Sequence, residues 1–107
     1  MTTFDKREEG FEKKFALDEE KKFKAKARRN KLLGMWVATS LGMSGDAADA
    51  YARGIVAAEF GEGGDADVVR KVIGDLKAKG IVITEAQIHA QMSALMAQAI
   101  AQVKAGI

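Results

Sequence analysis

The sequence predicts an all-α protein, a small four-helix bundle with a flexible or conditionally helical N-terminal arm. Three observations lead to this prediction. The 107 residues include no proline and are rich in alanine and in long straight-chain side chains, which favour helices. Apolar residues recur three and four positions apart through most of the chain after residue 18. Short links separate four such segments, as expected where neighbouring helices of a bundle are connected directly.

The predicted bundle covers residues 18–107 and follows an arm formed by residues 1–17. Asp18 is a suitable N-cap for the first helix, because Glu19 and Glu20 then lie at the positive end of the helix dipole. The helices are expected over about 18–42, 46–60, 65–79 and 84–105. The expected buried face of the first helix carries Phe23, Ala27, Asn30, Gly34, Val37 and Leu41.

The second and third helices are each predicted from a cap and an apolar stripe. Ser44 and Asp65 are the expected N-cap residues, and the glycine-rich run at 61–65 is the expected loop between the two helices. Gly80 is expected to end the third helix. The buried faces are predicted to carry Ala48, Tyr51, Ile55 and Ala58 in the second helix, and Val68, Val69, Val72, Ile73 and Leu76 in the third.

The start of the fourth helix is the clearest local signal in the chain. Thr84 and Gln87 have the spacing of a capping box, and Ile83 and Ile88 occupy the two positions of a hydrophobic staple. Residues 81–83 could alternatively form a short strand, although the sequence offers no obvious partner strand. The apolar face of this helix is predicted to carry Ile88, Met92, Leu95, Ala99 and Val103.

Charge is concentrated at the N-terminal end of the chain. Residues 1–31 hold eighteen of the 32 charged residues and four of the five phenylalanines. Within residues 1–17 four basic and four acidic groups cancel, whereas the basic excess lies between Lys21 and Lys31. Residues 1–17, whose charges cancel, are therefore poorly suited to bind phosphate or a membrane surface by electrostatic attraction alone. They are expected to differ in function from the basic run between Lys21 and Lys31.

The arm is predicted to fold only on a partner. Phe4, Phe11 and Phe15 share one face of a helix, but Gly10 costs that helix about 1 kcal/mol relative to alanine. Isolated helices of this length are marginal in water. We therefore expect residues 1–17 to be disordered in the free protein and to become helical when a partner accepts the phenylalanines.

Several classes of function are not expected. With a single histidine and no cysteine, the chain offers no nucleophile–base pair, no thiolate metal site and no disulfide, so neither catalytic residues nor a metal site are predicted. The acidic residues around 61–65 lack the pattern of a calcium-binding or phosphate-binding loop. The apolar runs are too short or too interrupted for a membrane helix, so a cytoplasmic location is expected.

The basic run from Lys21 to Lys31 allows two interpretations beyond a solvated helix face. Arg28, Arg29 and Lys31, with Trp36 nearby, could hold a phosphate-bearing ligand, since guanidinium groups bind phosphate through two hydrogen bonds. The alternative is a basic helical module that binds nucleic acid or another anionic surface, with an affinity that falls steeply with salt. The interleaved Asp18, Glu19 and Glu20 argue against this alternative, and no nucleic-acid partner is expected.

Several segments together resemble one known family, the zeta-subunit inhibitors of the F-type ATP synthase of alphaproteobacteria. The resemblance runs over nearly the whole chain, and its ARRNKLLG segment is highly specific. It is carried by the segments FDKREEGFEKKF, DEEKKFKAKARRNKLLGMW, LGMSGDAADAYA, DADVVRKVIGDL and TEAQI.

This resemblance implies a regulatory protein rather than an enzyme. Its arm would enter the catalytic head at an alpha/beta interface near the gamma subunit, fold as a helix and block ATP hydrolysis. No cofactor is required, but ADP or ATP could bind the bundle as a regulatory ligand. The free protein is expected to be a monomer that does not insert into the membrane and is peripheral to it through the ATP synthase. Carried over to this sequence, the arm residues that bind the partner are Phe4, Asp5, Lys6, Arg7, Glu8, Phe11, Glu12, Lys14 and Phe15.

Overall fold

Residues 18–106 of the computed structural model are described, and the predicted all-α fold is confirmed for them. The four helices are α1 (Glu19–Ser40), α2 (Gly45–Ala58), α3 (Asp65–Ala78) and α4 (Glu85–Lys104). Within this part of the chain no strand forms, and residues 81–83 are an irregular connection. The arm residues lie outside the described residues.

Two of the predicted helix starts are confirmed by hydrogen bonds. The Asp18 carboxylate accepts a hydrogen bond of 2.8 Å from the backbone N–H of Lys21 at the start of α1. At α4 the complete capping box is present. The Thr84 hydroxyl accepts a hydrogen bond from the Gln87 N–H at 3.1 Å, and the Gln87 side chain accepts one from the Thr84 N–H at 2.9 Å.

The other two predicted caps are different in the structure. Ser44 is the N-cap of α2, but its side chain makes no capping hydrogen bond. Asp65 was predicted as the N-cap of α3, and this is wrong because Gly64 occupies that position with a φ of 55°. Asp65 is instead the first helical residue, and its carboxylate accepts hydrogen bonds from Arg29 on α1.

The hydrophobic core is built around α1, which packs along both α2 and α4, while α3 packs against all three other helices. All predicted core positions of α3 except the half-buried Ile73 are buried. Tyr51, Trp36 and Leu95 are partly buried against the same core. The buried core residues are Leu33, Val37, Ile55, Val68, Val69, Val72, Leu76, Ile88 and Met92.

The predicted face of α1 is correct in its middle and wrong at its beginning. Asn30, Gly34 and Val37 are buried, but Phe23 is 58% exposed. The reason is the length of the neighbouring helix, since α2 ends at Ala58 and does not extend along the first turns of α1, which have α4 beside them. Phe60, just after α2, lies next to Phe23, with its ring centroid 5.7 Å from that of Phe23.

Gly34 allows the close approach of α1 and α2. A Cβ atom at this position would lie 2.5 Å from the Cα of Ala52 and 3.0 Å from its Cβ. The contact is with backbone, so it cannot be relieved by turning a side chain. The separation of the two helices is therefore set by the absence of a side chain at Gly34.

We predict that Gly34→Ala destabilises the bundle by about 1–3 kcal/mol, because α1 and α2 must move apart to admit the methyl group. Gly54→Ala is the matched control. A Cβ there meets nothing within 4 Å, so the same change in α2 should stabilise the protein by up to about 1 kcal/mol through helix propensity. Urea unfolding followed by circular dichroism measures both changes, and a Gly34→Ala protein as stable as Gly54→Ala would contradict the close contact.

Candidate functional site

Arg29, predicted to bind a nucleotide, lies in a buried network between α1 and the loop that joins α2 to α3. The residue is only 4% exposed. Its Nη2 donates hydrogen bonds to Glu59 at 2.8 Å and to Asp65 at 2.7 Å, and its Nη1 lies 3.4 Å from the second Asp65 oxygen. Asn30 accepts a hydrogen bond from Arg29 Nε at 3.0 Å and donates one to Glu59 at 2.9 Å.

The network shifts the pKa values of its two carboxyl groups, those of Asp65 and Glu59, in opposite directions. Hydrogen bonding from Arg29 lowers the pKa of Asp65 to about 2. Burial raises the pKa of Glu59, and the neighbouring Asp65 adds to that rise. Asp65 therefore keeps its negative charge against the guanidinium, whereas Glu59 is held in a position that disfavours its charged form.

This geometry separates the four residues that were predicted to bind a nucleotide. The guanidinium of Arg29 is engaged by internal partners, and Trp36 is packed against the core. Arg28 and Lys31, by contrast, line one cleft on the surface of the bundle. Arg28 is fixed there by a hydrogen bond of 3.1 Å from Nη1 to Gln102 of α4.

The cleft that contains Arg28 and Lys31, here called the basic cleft, has a volume of about 630 Å³. Such a volume is within the range of small-molecule sites. Its basic side chains come from α1, and its apolar wall includes Val56 of α2 and Val103 of α4. The cleft can therefore offer cations to an anionic group and an apolar surface to the rest of the same ligand. Its four basic residues are Lys21, Lys24, Arg28 and Lys31.

Lys21 and Lys24 were not among the residues predicted to bind a nucleotide, although the sequence contains a signal for them. The four basic residues are spaced three, four and three positions apart, which places them along one face of α1. Arg29 lies about 100° around the helix from Arg28 and so faces the interior. The contributions of Val56 and Val103 depend on the packing of three helices and have no local signal.

A second surface feature, here called the apolar groove, lies between the first turns of α1 and the second half of α4. Its volume is about 510 Å³. Phe23 and Ala25 of α1 and Met96 and Ile100 of α4 supply its apolar lining. Its charged rim consists of Glu19, Lys22 and Lys26. Sequence reasoning missed this groove because Phe23 was predicted to be buried.

The described part of the chain offers no cluster for a metal ion, since no three histidine or acidic side chains of residues 18–106 are suitably grouped. No helix in this range is long and apolar enough to span a membrane. The predicted arm residues, from Phe4 to Phe15, lie outside the described residues, so their assignment stays a prediction.

We predict that Asp65→Asn destabilises the protein by about 1–2 kcal/mol near neutral pH, because Arg29 loses a charged partner that is itself partly exposed. The folded-state pKa of Asp65 is lowered, so its contribution is complete above its unfolded-state pKa and is lost as pH falls toward about 2. The difference in free energy of unfolding between wild type and Asp65→Asn should therefore shrink from about pH 4 downward.

Urea unfolding at a series of pH values measures this difference, and Glu62→Gln is the matched control. Glu62 lies exposed in the same loop, so its replacement should change stability by less than about 0.5 kcal/mol. A difference between wild type and Asp65→Asn that stays constant down to pH 2 would contradict the assigned ion pair.

Comparison with known proteins places the chain in a family. The family model described as "ATPase inhibitor subunit zeta" matches residues 1–102. A protein whose solution NMR structure is known is 53% identical and similar in fold, with a TM-score of 0.68, over 79% of this chain and 96% of its own. No curated protein sequence matches the chain. The family predicted from the sequence segments is confirmed, and the chain belongs to the ATPase inhibitor subunit zeta family.

Proposed function

We propose that this chain inhibits the F-type ATP synthase through residues 1–17, which fold as a helix at an alpha/beta interface near the gamma subunit. The wedged helix blocks rotation in the hydrolytic direction. Family membership makes the chain a regulator of the ATP synthase rather than an enzyme. The observation that supports an inhibitory role for residues 1–17 is that the family match includes them together with the bundle.

The division of labour between arm and bundle is supported by the position of the core. Among residues 18–106 the buried hydrophobic cluster runs from Leu33 to Met92. The described partners of Arg29 lie between α1 and the start of α3. Residues 18–106 thus supply a core and a polar network of their own, and the proposal assigns the contact with the partner to residues 1–17.

The proposed inhibitory contact depends on aromatic anchors. Phe4, Phe11 and Phe15 share one face of a helical arm, and buried aromatic side chains contribute most to interfaces of this kind. The surrounding charges, from Asp5 to Lys14, set the register and the rate of association. In this proposal the free chain is a cytoplasmic monomer that reaches the membrane only through the ATP synthase.

We predict that Phe11→Ala and Phe15→Ala each raise the concentration needed for half-inhibition of ATP hydrolysis by about thirtyfold or more, since each removes about 2 kcal/mol or more of anchor binding. Lys13→Ala is the matched control in the same segment and should change the concentration needed for half-inhibition by less than about fivefold. The measurement is a titration of each full-length variant into membranes stripped of the native inhibitor.

Removal of residues 1–17 sets the reference for these variants. The truncated protein should retain the circular dichroism spectrum and unfolding transition of a bundle and should not inhibit hydrolysis. Equal losses from all three single substitutions would indicate an electrostatic contact. Full inhibition by the truncated protein would overturn the role of the arm.

A second candidate function is the binding of ADP or ATP, and the basic cleft is the observation that favours it. Four basic residues line a space of about 630 Å³ there, which also has apolar walls. This combination suits a ligand with a phosphate group at one end and a base or ribose at the other. Binding to nucleic acid is less favoured, because Glu20 pairs with Lys24 at 3.2 Å and Glu19 with Lys22 at 3.9 Å.

We predict that millimolar ADP shifts the amide resonances of Arg28, Lys31 and Val103, which line the basic cleft, and leaves those of α3 unchanged. Lys31→Gln should weaken ADP binding about fivefold, as expected for one exposed charge worth about 1 kcal/mol. Lys77→Gln is the matched control, since Lys77 is exposed on α3. No shift at millimolar ADP would exclude the site, and an affinity for duplex DNA above that for ADP would favour an anionic-surface binder.

A further inference from the structure

Two phenylalanines, here called the aromatic pair, are exposed together at one end of the bundle. Phe23 is 58% exposed and Phe60 is 67% exposed, and their ring centroids lie 5.7 Å apart. Phe23 also lines the apolar groove between α1 and α4. Within residues 18–106 Val82 is the only other large hydrophobic side chain that is exposed to this degree. Apolar side chains that are exposed as a group, rather than singly, are typical of a surface that contacts another protein.

The rim of the apolar groove carries two lysines that are only loosely paired. The Nζ of Lys22 lies 3.9 Å from the carboxylate of Glu19, and the Nζ of Lys26 lies 4.0 Å from that of Glu59. The two lysine side chains are 59% and 47% exposed. Ion pairs of this kind contribute little to stability. Both lysines can therefore turn to a carboxylate of a protein that covers the groove.

The groove begins where the arm ends. Glu19 is the first residue of α1 and already belongs to the rim of the groove. At 1.5 Å per residue, the groove residues of α1 from Glu19 to Lys26 lie within about 12 Å of Asp18 along the helix. Asp18 itself has an extended backbone with a ψ of 170°, so α1 starts only after it. A protein that binds residues 1–17 therefore has the groove next to its own surface.

We propose that the apolar groove and the aromatic pair form a second contact with the ATP synthase, on the outer surface of the catalytic head beside the site that binds the arm. The inference rests on the proposed function, because the site of the arm determines which surface the groove meets. The complementary surface carries apolar side chains opposite Phe23 and Phe60, and carboxylates opposite Lys22 and Lys26. The arm and the bundle are joined through Asp18, so the second contact forms intramolecularly, at an effective concentration of about millimolar.

The size of the groove favours this occupant over a second copy of the chain. The groove is lined by only seven residues, whereas each side of a stable interface involves roughly 20–30 residues. Two free copies would have to associate through this small area alone. A contact that is tethered by a bound arm does not need so large an area, because the arm has already brought the two surfaces together.

Loss of the second contact should weaken inhibition chiefly through faster release. Phe23→Ser and Phe60→Ser should each raise the concentration needed for half-inhibition of ATP hydrolysis by about fivefold to twentyfold, with faster dissociation and a nearly unchanged association rate. Lys22→Glu should instead slow association, most clearly at low salt. Val82→Ser is the matched control and should change neither rate. Val82 is also exposed, but it lies before the start of α4, whereas the groove uses the second half of that helix.

Two features separate this effect from a loss of stability and from a change in the basic cleft. Both phenylalanines are more than half exposed, so the urea unfolding midpoint of each variant should stay close to that of the wild type. Phe23 also borders the basic cleft, but Phe60 does not. Similar losses from both variants would therefore assign the effect to the aromatic pair, and a loss confined to Phe23→Ser would overturn the shared contact.

A photoreactive label tests the contact on the assembled enzyme. The chain has no cysteine, so Met96→Cys places a single label in the groove, on a helix remote in sequence from the arm. When the whole labelled chain is bound to the purified catalytic head, we expect a crosslink to an alpha or beta subunit. Adding Phe23→Ser to the same chain should abolish this crosslink. Val82→Cys, labelled in the same way, should give no such product.

Failure of the second contact and failure of the proposed function are distinguishable. No crosslink from position 96, or unchanged inhibition by Phe23→Ser and Phe60→Ser, overturns the second contact even where the wild-type protein inhibits through its arm. A crosslink to another copy of the chain overturns it in favour of self-association. A crosslink to the catalytic head that depends on Phe23, in a chain whose Phe11→Ala and Phe15→Ala variants inhibit as well as the wild type, leaves the second contact standing and refutes the role of the arm.

Discussion

The structure depends on the need to neutralise one buried arginine. Desolvating an ion costs several kcal/mol unless its partners are in good geometry, and removal of a partner from a buried pair is strongly destabilising. Arg29 meets this requirement by hydrogen bonds to Asn30, Glu59 and Asp65, and every buried polar side-chain atom among residues 18–106 has a partner. These partners place the end of α2 and the start of α3 against α1.

The same constraint determines the two surfaces that are candidates for function. Because Glu59 is held beside Arg29, the chain leaves α2 at that point, and Phe60 follows next to Phe23. The early end of α2 leaves the first turns of α1 covered only by α4, which creates the apolar groove. Lys21, Lys24, Arg28 and Lys31 lie on another face of α1 and line the basic cleft, and Phe23 borders both surfaces. An internal ion-pair network thus sets where these two surface clefts lie on the bundle.

The parts of the structure that sequence reasoning predicted well are those with local physical causes. Thr84 and Gln87 form a capping box through backbone groups three residues away, and Asp18 caps α1 in the same way. Their patterns are therefore visible in a few consecutive letters. Asp65 has the chemistry of an N-cap too, but an arginine 36 positions away in the chain competes for its carboxylate. That competition is a tertiary contact and has no local signature.

In the candidate site, the same limit of sequence-based prediction is seen in two adjacent residues. Arg28 and Arg29 are adjacent in a basic run, and composition alone treats them alike. A turn of about 100° per residue directs Arg29 toward Glu59 and Asp65 and leaves Arg28 at the basic cleft beside Lys31. The basic run therefore contains one residue that organises the fold and a set, three and four positions apart, that can meet a ligand. The position of each residue around the helix decides between these roles. The element that packs against α1 decides which face of the helix is buried.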